Sequence, residues 1–289
     1  MLKLIRPKQW SKNLLVFAGP IFGAQLSDPL VLKLAFIAFF AMCFLSSATY
    51  VINDILDVQA DRSHPDKRNR PIAAGLVSVG SAWGLSVCLI ALSVVLATQL
   101  NKSSWILLAC YAALQVFYNI SLKSIAIADV FTIALGFILR AVLGAAAVSV
   151  PISGWLLFCT GALALMLGFA KRRHEFILQG DASRASLSDY TLPALDALVI
   201  MTATGAAICY GIYAIDSSTA TKHPAIIVTS LFVFYGIARY VQLTFSKGEG
   251  GEPADVLFRD IHMLASVGLF LLSAVLAMTG SITIPLLAK

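Results

Sequence analysis

Nine runs of apolar residues, each bounded by polar stretches, leave this chain few ways to fold. They cover roughly 14–26, 30–52, 82–100, 104–120, 127–148, 154–170, 197–215, 225–244 and 261–279. Most approach the ~20 residues that a helix needs to cross the hydrocarbon of a bilayer. In lipid every backbone polar group must find a partner, and a helix supplies them all within one segment. The pattern therefore predicts an all-α, polytopic membrane helix bundle with about nine transmembrane helices. The first run is short and contains Pro20, so it is expected to borrow residues 10–13 to reach across. Charged residues make up only 12% of the 289, against about 25% in a soluble domain, and the mean hydropathy is +0.86. A soluble globular protein is excluded. In a bundle the spans share one core, which predicts a single domain over residues 1–289.

Orientation follows from the basic residues, because cytoplasmic loops of membrane proteins collect Lys and Arg. With the N-terminus inside, sixteen of the 21 Lys and Arg fall on the cytoplasmic side and four (Lys33, Lys102, Lys222, Lys289) on the other, with Arg140 inside a span. The chain is thus expected in the cell membrane with its N-terminus cytoplasmic and its C-terminus outside. Thirteen of the fifteen acids share the cytoplasmic side, all but Asp28 and Asp216. A bias toward basic loops does not account for acids gathering beside them, so a polar chamber is expected on that face. The opening residues, with Lys3, Arg6, Lys8 and Lys12 around Trp10, have the composition of a segment lying at a membrane surface. A signal peptide is the competing reading, but no small-residue cleavage site follows and the segment is expected to be retained. Cys43, Cys88, Cys110, Cys159 and Cys209 all lie in apolar runs without a C-x-x-C pair. They read as small buried residues rather than a disulfide framework or zinc site.

One polar stretch stands between the second and third runs. Asp54, Asp57 and Asp61 are spaced i, i+3, i+7, which puts three carboxylates on one face of a continuing helix. Like charges so placed repel unless a cation joins them, and magnesium takes hard oxygen ligands together with waters and substrate phosphates. Asn53 adds an amide oxygen. Arg62, His64, Lys67, Arg68 and Arg70 follow, side chains suited to phosphate oxygens. Acids for a metal beside bases for phosphate suit a magnesium–diphosphate substrate. A charge-balanced loop between two spans is the bland alternative.

Asn53-Asp54-x-x-Asp57-x-x-x-Asp61 resembles the first aspartate-rich motif of the UbiA superfamily of intramembrane prenyltransferases. Two longer stretches are more particular: Arg62-x-His64-Pro65-x-Lys67-Arg68-x-Arg70-Pro71-Ile72-Ala73-x-Gly75 and Arg6-Pro7-x-Gln9-Trp10-x-Lys12-Asn13-x-Leu15-Val16-Phe17. Together they resemble the decaprenyl-phosphate phosphoribosyltransferase branch. That resemblance implies a UbiA-like fold and Mg2+ as cofactor. It implies phosphoribosyl pyrophosphate (PRPP) as donor and a polyprenyl phosphate lipid as acceptor. In the prenyltransferases a later loop carries a second aspartate-rich motif. Here the corresponding loop opens Lys171-Arg172-Arg173-His174-Glu175 and has no close Asp-x-x-x-Asp spacing, as in the phosphoribosyltransferase branch. A basic cluster suits a phosphate of lower charge, while membrane anchoring against anionic lipid is the alternative.

Three further features are candidates. Arg140 lies within Gly136–Gly144, and a charge inside a span is costly enough to mark a functional position. Glycines four before and four after it let helices approach closely. In Tyr118-x-x-x-Leu122-Lys123-x-x-x-x-x-Asp129, Tyr118 and Lys123 resemble the family's tyrosine and lysine at the mouth of the cavity, with an interfacial pair as the alternative. The glycine-rich stretch from Lys247 to Asp260 lacks the Gly-Lys-Ser/Thr of a P-loop and reads as a lid. His223 and His262 are single and read as structural.

The candidate site is therefore Asn53, Asp54, Asp57 and Asp61 for catalysis, the three aspartates binding the metal. Lys12, Asn13, Arg62, Lys67, Arg70, Tyr118, Lys123, Arg140, Lys171, Arg172 and Arg173 are the candidates for substrate phosphates. The expected reaction is phosphoribosyl transfer; the alternative is prenyl transfer to an aromatic or other acceptor. A transporter would line both membrane halves with charge and show paired repeats, which this sequence does not. Nothing indicates a nucleic-acid partner.

Overall fold

The computed structural model describes residues 2–23, 28–63, 67–179, 185–248, 250–251 and 253–281. Its helices, in chain order, are α1 (Leu2–Ile5), α2 (Ala18–Phe22), α3 (Pro29–Leu56), α4 (Val58–Ser63), α5 (Val79–Ala97), α6 (Lys102–Ile120) and α7 (Ala128–Ala147), then α8 (Gly154–Gln179), α9 (Leu192–Asp216), α10 (Ser218–Lys222), α11 (Thr229–Ser246), α12 (Pro253–Arg259) and α13 (Ile261–Met278). Among the described residues eight helices are long and apolar enough to cross a membrane: α3, α5, α6, α7, α8, α9, α11 with its lead from Pro224, and α13. They match eight of the nine apolar runs. Side chains fix where several begin. Asp28 accepts the Leu30 N–H at 2.8 Å to start α3, Ser78 accepts Ser81 N–H at 3.1 Å to start α5, and Asp260 accepts Met263 N–H at 3.0 Å to start α13.

The first run is built differently. A 3-10 helix of 11 residues, Pro7–Phe17, leads into the short α2. It does start upstream of the apolar run, as its short length required. Stretches of 3-10 helix longer than three or four residues are uncommon. Packing explains this one: at Gly144 a Cβ would lie 1.8 Å from the Val16 carbonyl oxygen, and at Gly19 it would lie 2.6 Å from the Ala145 backbone nitrogen. The segment touches α7 backbone to backbone, with no room for a side chain between. Gly144 thus does what its spacing from Arg140 implied.

The opening residues fold onto α3, a closer attachment than a segment lying at the surface. Leu4 is buried among Val51, Ile55 and Ile72. Trp10 Nε1 donates to Ser47 Oγ at 3.0 Å, and Ser47 Oγ donates to the Ile5 carbonyl at 2.7 Å. Lipid tails are as apolar as leucine, so helix association in a bilayer relies on close packing and on such polar ties.

Two compact units can be distinguished. One takes in Met1–Pro20, Gln25–Ile120 and Leu139–Val150; the other takes in Ile21–Ala24, Ser121–Ile138 and Pro151–Lys289. In the first, α3 is central. Its small residues Ala38 and Ala41 pack with Leu108, Tyr111 and Leu143, and Ser93 of α5 donates to the Ala41 carbonyl at 2.8 Å. In the second, α8 and α9 pack along each other through Met166, Phe169, Leu195 and Val199. Helix α7 supplies residues to both units.

Candidate active site

Helix α3 carries Asn53 and Asp54 in its last turn and ends at Leu56, with Asp57 as its cap. The four-residue hydrogen-bond rhythm survives that break: Asp57 N–H donates to Asn53 O at 2.9 Å, and Asp61 N–H donates to Asp57 O at 2.8 Å. Asp54 and Asp61 consequently face the same place. A single nitrogen, Arg70 Nη1, reaches Asp54 Oδ1 at 3.1 Å and Asp61 Oδ2 at 2.7 Å. Arg6 Nη2 reaches Asp54 Oδ1 at 2.6 Å, and its guanidinium lies 5.2 Å from the centre of the Tyr50 ring. The two carboxylate side chains are 2% and 4% exposed, the two arginines 27% and 26%. Asn53 and Asp57 are half-buried.

The chain beyond α4 is shaped to return Arg70 to these acids. A 3-10 turn at Lys67–Asn69 is followed by a bend in which Gly75 adopts φ 73°, a left-handed conformation that glycine takes without strain. Arg62 Nε donates to the Ala73 carbonyl at 3.3 Å and ties α4 to the bend. Arg62 and Lys67 are exposed. His64 lies outside the described residues.

Two buried carboxylates on one cationic centre are a donor set that suits magnesium, which prefers hard oxygens and keeps positions for water and phosphate. Among the described residues, no group of three or more His, Cys, Asp and Glu is gathered closely enough to hold a metal alone.

Arg140 and Asn13 also come together, elsewhere along α3. Arg140 Nε donates to Asn13 Oδ1 at 2.7 Å and Nη2 to the Tyr111 hydroxyl at 2.9 Å. Asn13 Nδ2 meets Cys43 Sγ and Ser46 Oγ, each at 3.2 Å. Ser46 lies two helical turns from Asp54, about 12 Å along the axis. The buried arginine binds the N-terminal segment, α6 and α7 into one network. Lys12 and Tyr118 are half-buried.

In the second unit the basic run at the end of α8 turns inward. Arg172, 2% exposed, donates through Nε to Asp129 Oδ2 at 2.8 Å, and the Asp129 side chain is fully buried. Arg172 also pairs with Glu175, and Ser186 Oγ donates to Asp129 at 3.2 Å. Arg173 Nε meets Asp196 Oδ1 at 2.6 Å, Nη1 donates to the Thr244 carbonyl at 3.1 Å, and its guanidinium stacks over Phe245. Both arginines are thus engaged with acids of their own unit. Lys171 is half-buried, and Lys123 sits half-buried on a 3-10 turn, Leu122–Ser124. Just beyond, Ile127 has φ 67°, a costly conformation for a β-branched residue, and its N–H is held by the Tyr190 hydroxyl at 2.5 Å. Asp181 and Arg184 fall outside the described residues.

The glycine-rich stretch is docked on α8 where it is described. His174 Nδ1 lies 2.6 Å from the Gly248 carbonyl, and a Cβ at Gly251 would come within 2.4 Å of the His174 ring. Glu249 and Glu252 lie outside the described residues. Further on, Arg239 grips Asp260 through two nitrogens, at 2.6 and 3.2 Å. Its hydrogen bonding pulls that carboxyl down to about 2. His262 bonds Tyr235 at 2.9 Å, in keeping with a structural role.

Sequence reasoning overlooked Arg6 as a partner of Asp54 and Asp129 as the partner of Arg172. Asp129 sits at the edge of an apolar run, a place where an isolated charge needs a reason, whereas Arg6 was one of four bases in the opening segment and nothing set it apart.

The UbiA prenyltransferase family pattern matches residues 14–258, and the chain belongs to that family. It is an enzyme of that superfamily and a multi-pass membrane protein. It is 36% identical to the decaprenyl-phosphate phosphoribosyltransferase of Corynebacterium glutamicum over 93% of this chain and 84% of that one. It is 34% identical to the protein of the same name from Mycolicibacterium smegmatis, over 93% of this chain and 90% of that one. A UbiA homologue from Archaeoglobus fulgidus, solved bound to DMAPP and Mg2+, superposes with a TM-score of 0.75 over 96% of this chain and 98% of that one. At 18% identity this last likeness shows the fold alone.

Proposed function

We propose that this protein transfers the 5-phosphoribosyl group of PRPP to a polyprenyl phosphate of the decaprenyl type, releasing pyrophosphate. The observation that carries the reading is the identity of more than one third, over nine-tenths of the chain, to proteins named for phosphoribosyl transfer to decaprenyl phosphate. The buried carboxylates beside arginines that can turn to phosphate agree with it. In the reaction a phosphate oxygen of the lipid attacks ribose C1. The C1–O bond to pyrophosphate breaks, and its electron pair leaves with the pyrophosphate. A phosphate oxygen is already a competent nucleophile, so no protein base is needed. The site has to orient two anions and exclude water.

Asp54, Asp57 and Asp61, with Asn53 beside them, are the residues assigned to Mg2+. When bound, the ion would neutralise the departing pyrophosphate. Arg62, Lys67, Arg70, Lys12, Tyr118, Lys123 and Lys171 are assigned to phosphate contacts, being exposed or only part-buried. Asn13, Arg140, Arg172 and Arg173, bonded within their own units, are the remaining residues assigned to substrate phosphates. The reaction is placed at the cytoplasmic face, with the N-terminus on that side and the C-terminus outside, on the strength of sixteen basic residues against four. The chain is read as one domain because α7 serves both units.

Purified protein in detergent, given Mg2+, PRPP and a polyprenyl monophosphate, should yield a phosphoribosylated lipid and pyrophosphate by mass spectrometry. Chelator should abolish the product. A prenyl diphosphate offered with 4-hydroxybenzoate should yield nothing above background. If the aromatic acid is prenylated and PRPP ignored, the reaction assigned here is wrong.

A further inference from the structure

Arg6 precedes a proline, a position that ordinarily favours extended backbone. It instead adopts φ 52°, ψ 60°, a left-handed conformation unusual for any residue but glycine or asparagine. Its neighbours impose this from both sides. The Ile5 carbonyl accepts from Ser47, Leu4 is buried, and the Arg6 carbonyl accepts the Gln9 N–H at 2.9 Å. The bend delivers the guanidinium to Asp54 and leaves it over Tyr50, still part-exposed. Strained backbone that the surroundings over-determine is characteristic of functional positions.

The two arginines on Asp54 differ. Arg70 holds both Asp54 and Asp61, whereas the Arg6 ion pair is with Asp54. A divalent cation drawn to the Asp54 oxygens competes with both, and the ion pair to Asp61 retains Arg70 when Arg6 gives way. The aromatic ring beneath the guanidinium keeps it close by once displaced. There it would be within reach of a diphosphate held at these acids, and a guanidinium matches two phosphate oxygens in one fork.

We infer that Arg6 is a further site residue, a counter-cation of Asp54 that exchanges places with a divalent ion and then binds the diphosphate of the donor. This rests on the reading of Asp54 and Asp61 as metal-holding residues. It makes a demand that a merely structural role does not: removing the Arg6 charge must strengthen one ligand and weaken the other.

The test uses full-length protein in detergent, stripped of divalent ions by chelator and dialysis. Binding of Mn2+ alone is followed by electron paramagnetic resonance, and binding of inorganic pyrophosphate with Mg2+ by calorimetry. Arg6→Asn removes the charge with a residue that tolerates the left-handed backbone. It should bind Mn2+ about tenfold more tightly, as expected for removing a unit charge a few ångströms away. The same variant should bind magnesium pyrophosphate about tenfold more weakly, having lost a charged phosphate contact. Arg6→Lys keeps the charge and should stay near the parent for Mn2+. Any other pairing of signs in Arg6→Asn overturns the inference, including weaker binding of both, which is what a damaged fold would give. Asp54→Asn separates the two levels. If it binds Mn2+ as the parent does, the metal reading falls, and the inference with it. If it loses the site while Arg6→Asn changes nothing, only the role of Arg6 is refuted.

Discussion

In the first unit the acids Asp54 and Asp61 are buried while the arginines meeting them stand about a quarter exposed; in the second, Arg172 is as buried as its partner Asp129. The residue types are the same and the energetics are not. A part-exposed guanidinium keeps much of its hydration, and solvent weakens its hold on the acid. It can leave at modest cost, and another cation can take its place. A fully buried pair has no such exit, because separating it strands a charge in a medium that cannot solvate it. The first cluster is built for exchange and the second for fixing the end of α8 to the start of α7. A basic sequence motif alone does not distinguish those two uses; exposure does.

The sharpest way to break this contrast is Arg172→Gln. It should leave Asp129 buried without its cation and destabilise the protein by about 3–5 kcal/mol, read as a lower melting temperature in detergent. Replacing both partners, Arg172→Met with Asp129→Leu, should recover most of the loss. An unchanged melting curve for the single variant would mean that the second cluster is not a lock.

Asp54→Asn should do the reverse. Its arginines can turn to solvent, so melting should shift little. Phosphoribosyl transfer should fall on the order of 100-fold or more, the several kcal/mol that a bound metal contributes. Loss of fold in place of loss of rate would make the two clusters alike.

The smallest effect concerns the pair between those extremes, Arg239 with Asp260. The arginine's hydrogen bonds hold the Asp260 carboxyl at about 2, below its unfolded value. The sign follows: stability from this pair is complete above the usual carboxylate range and is lost as pH falls through about 2. Asp260→Asn should flatten the acid limb of a melting-temperature profile between about 4 and 2. An identical acid limb would place this pair outside the comparison.

The spans were legible because a bilayer imposes one length and one composition, which hydropathy reads directly. The shared orientation of Asp54 and Asp61 was legible too, since seven residues make two helical turns. The engagement of Arg172 with Asp129 was not, because the partners lie 43 positions apart and no local period links them. Nor was the attachment of the N-terminal segment, which depends on two adjacent serines, Ser46 and Ser47, within a largely apolar helix. Composition registered that segment as basic and aromatic and so favoured a surface location. The glycines of the stretch after Lys247 read as looseness, whereas Gly251 is needed for contact with His174.

Gly144 sets a tolerance for a distant part of the molecule. The Val16 carbonyl rests on it with only a hydrogen atom's thickness to spare. From Val16 the chain runs along α3 through Asn13 and Trp10 to Arg6, each tied to that helix by a short polar contact. A methyl group at 144 would act as a shim under one end of this strip, lifting it and drawing Arg6 out of register with Asp54. The accuracy with which a guanidinium meets a carboxylate near one end of α3 is thus gauged by the absence of a side chain on another helix.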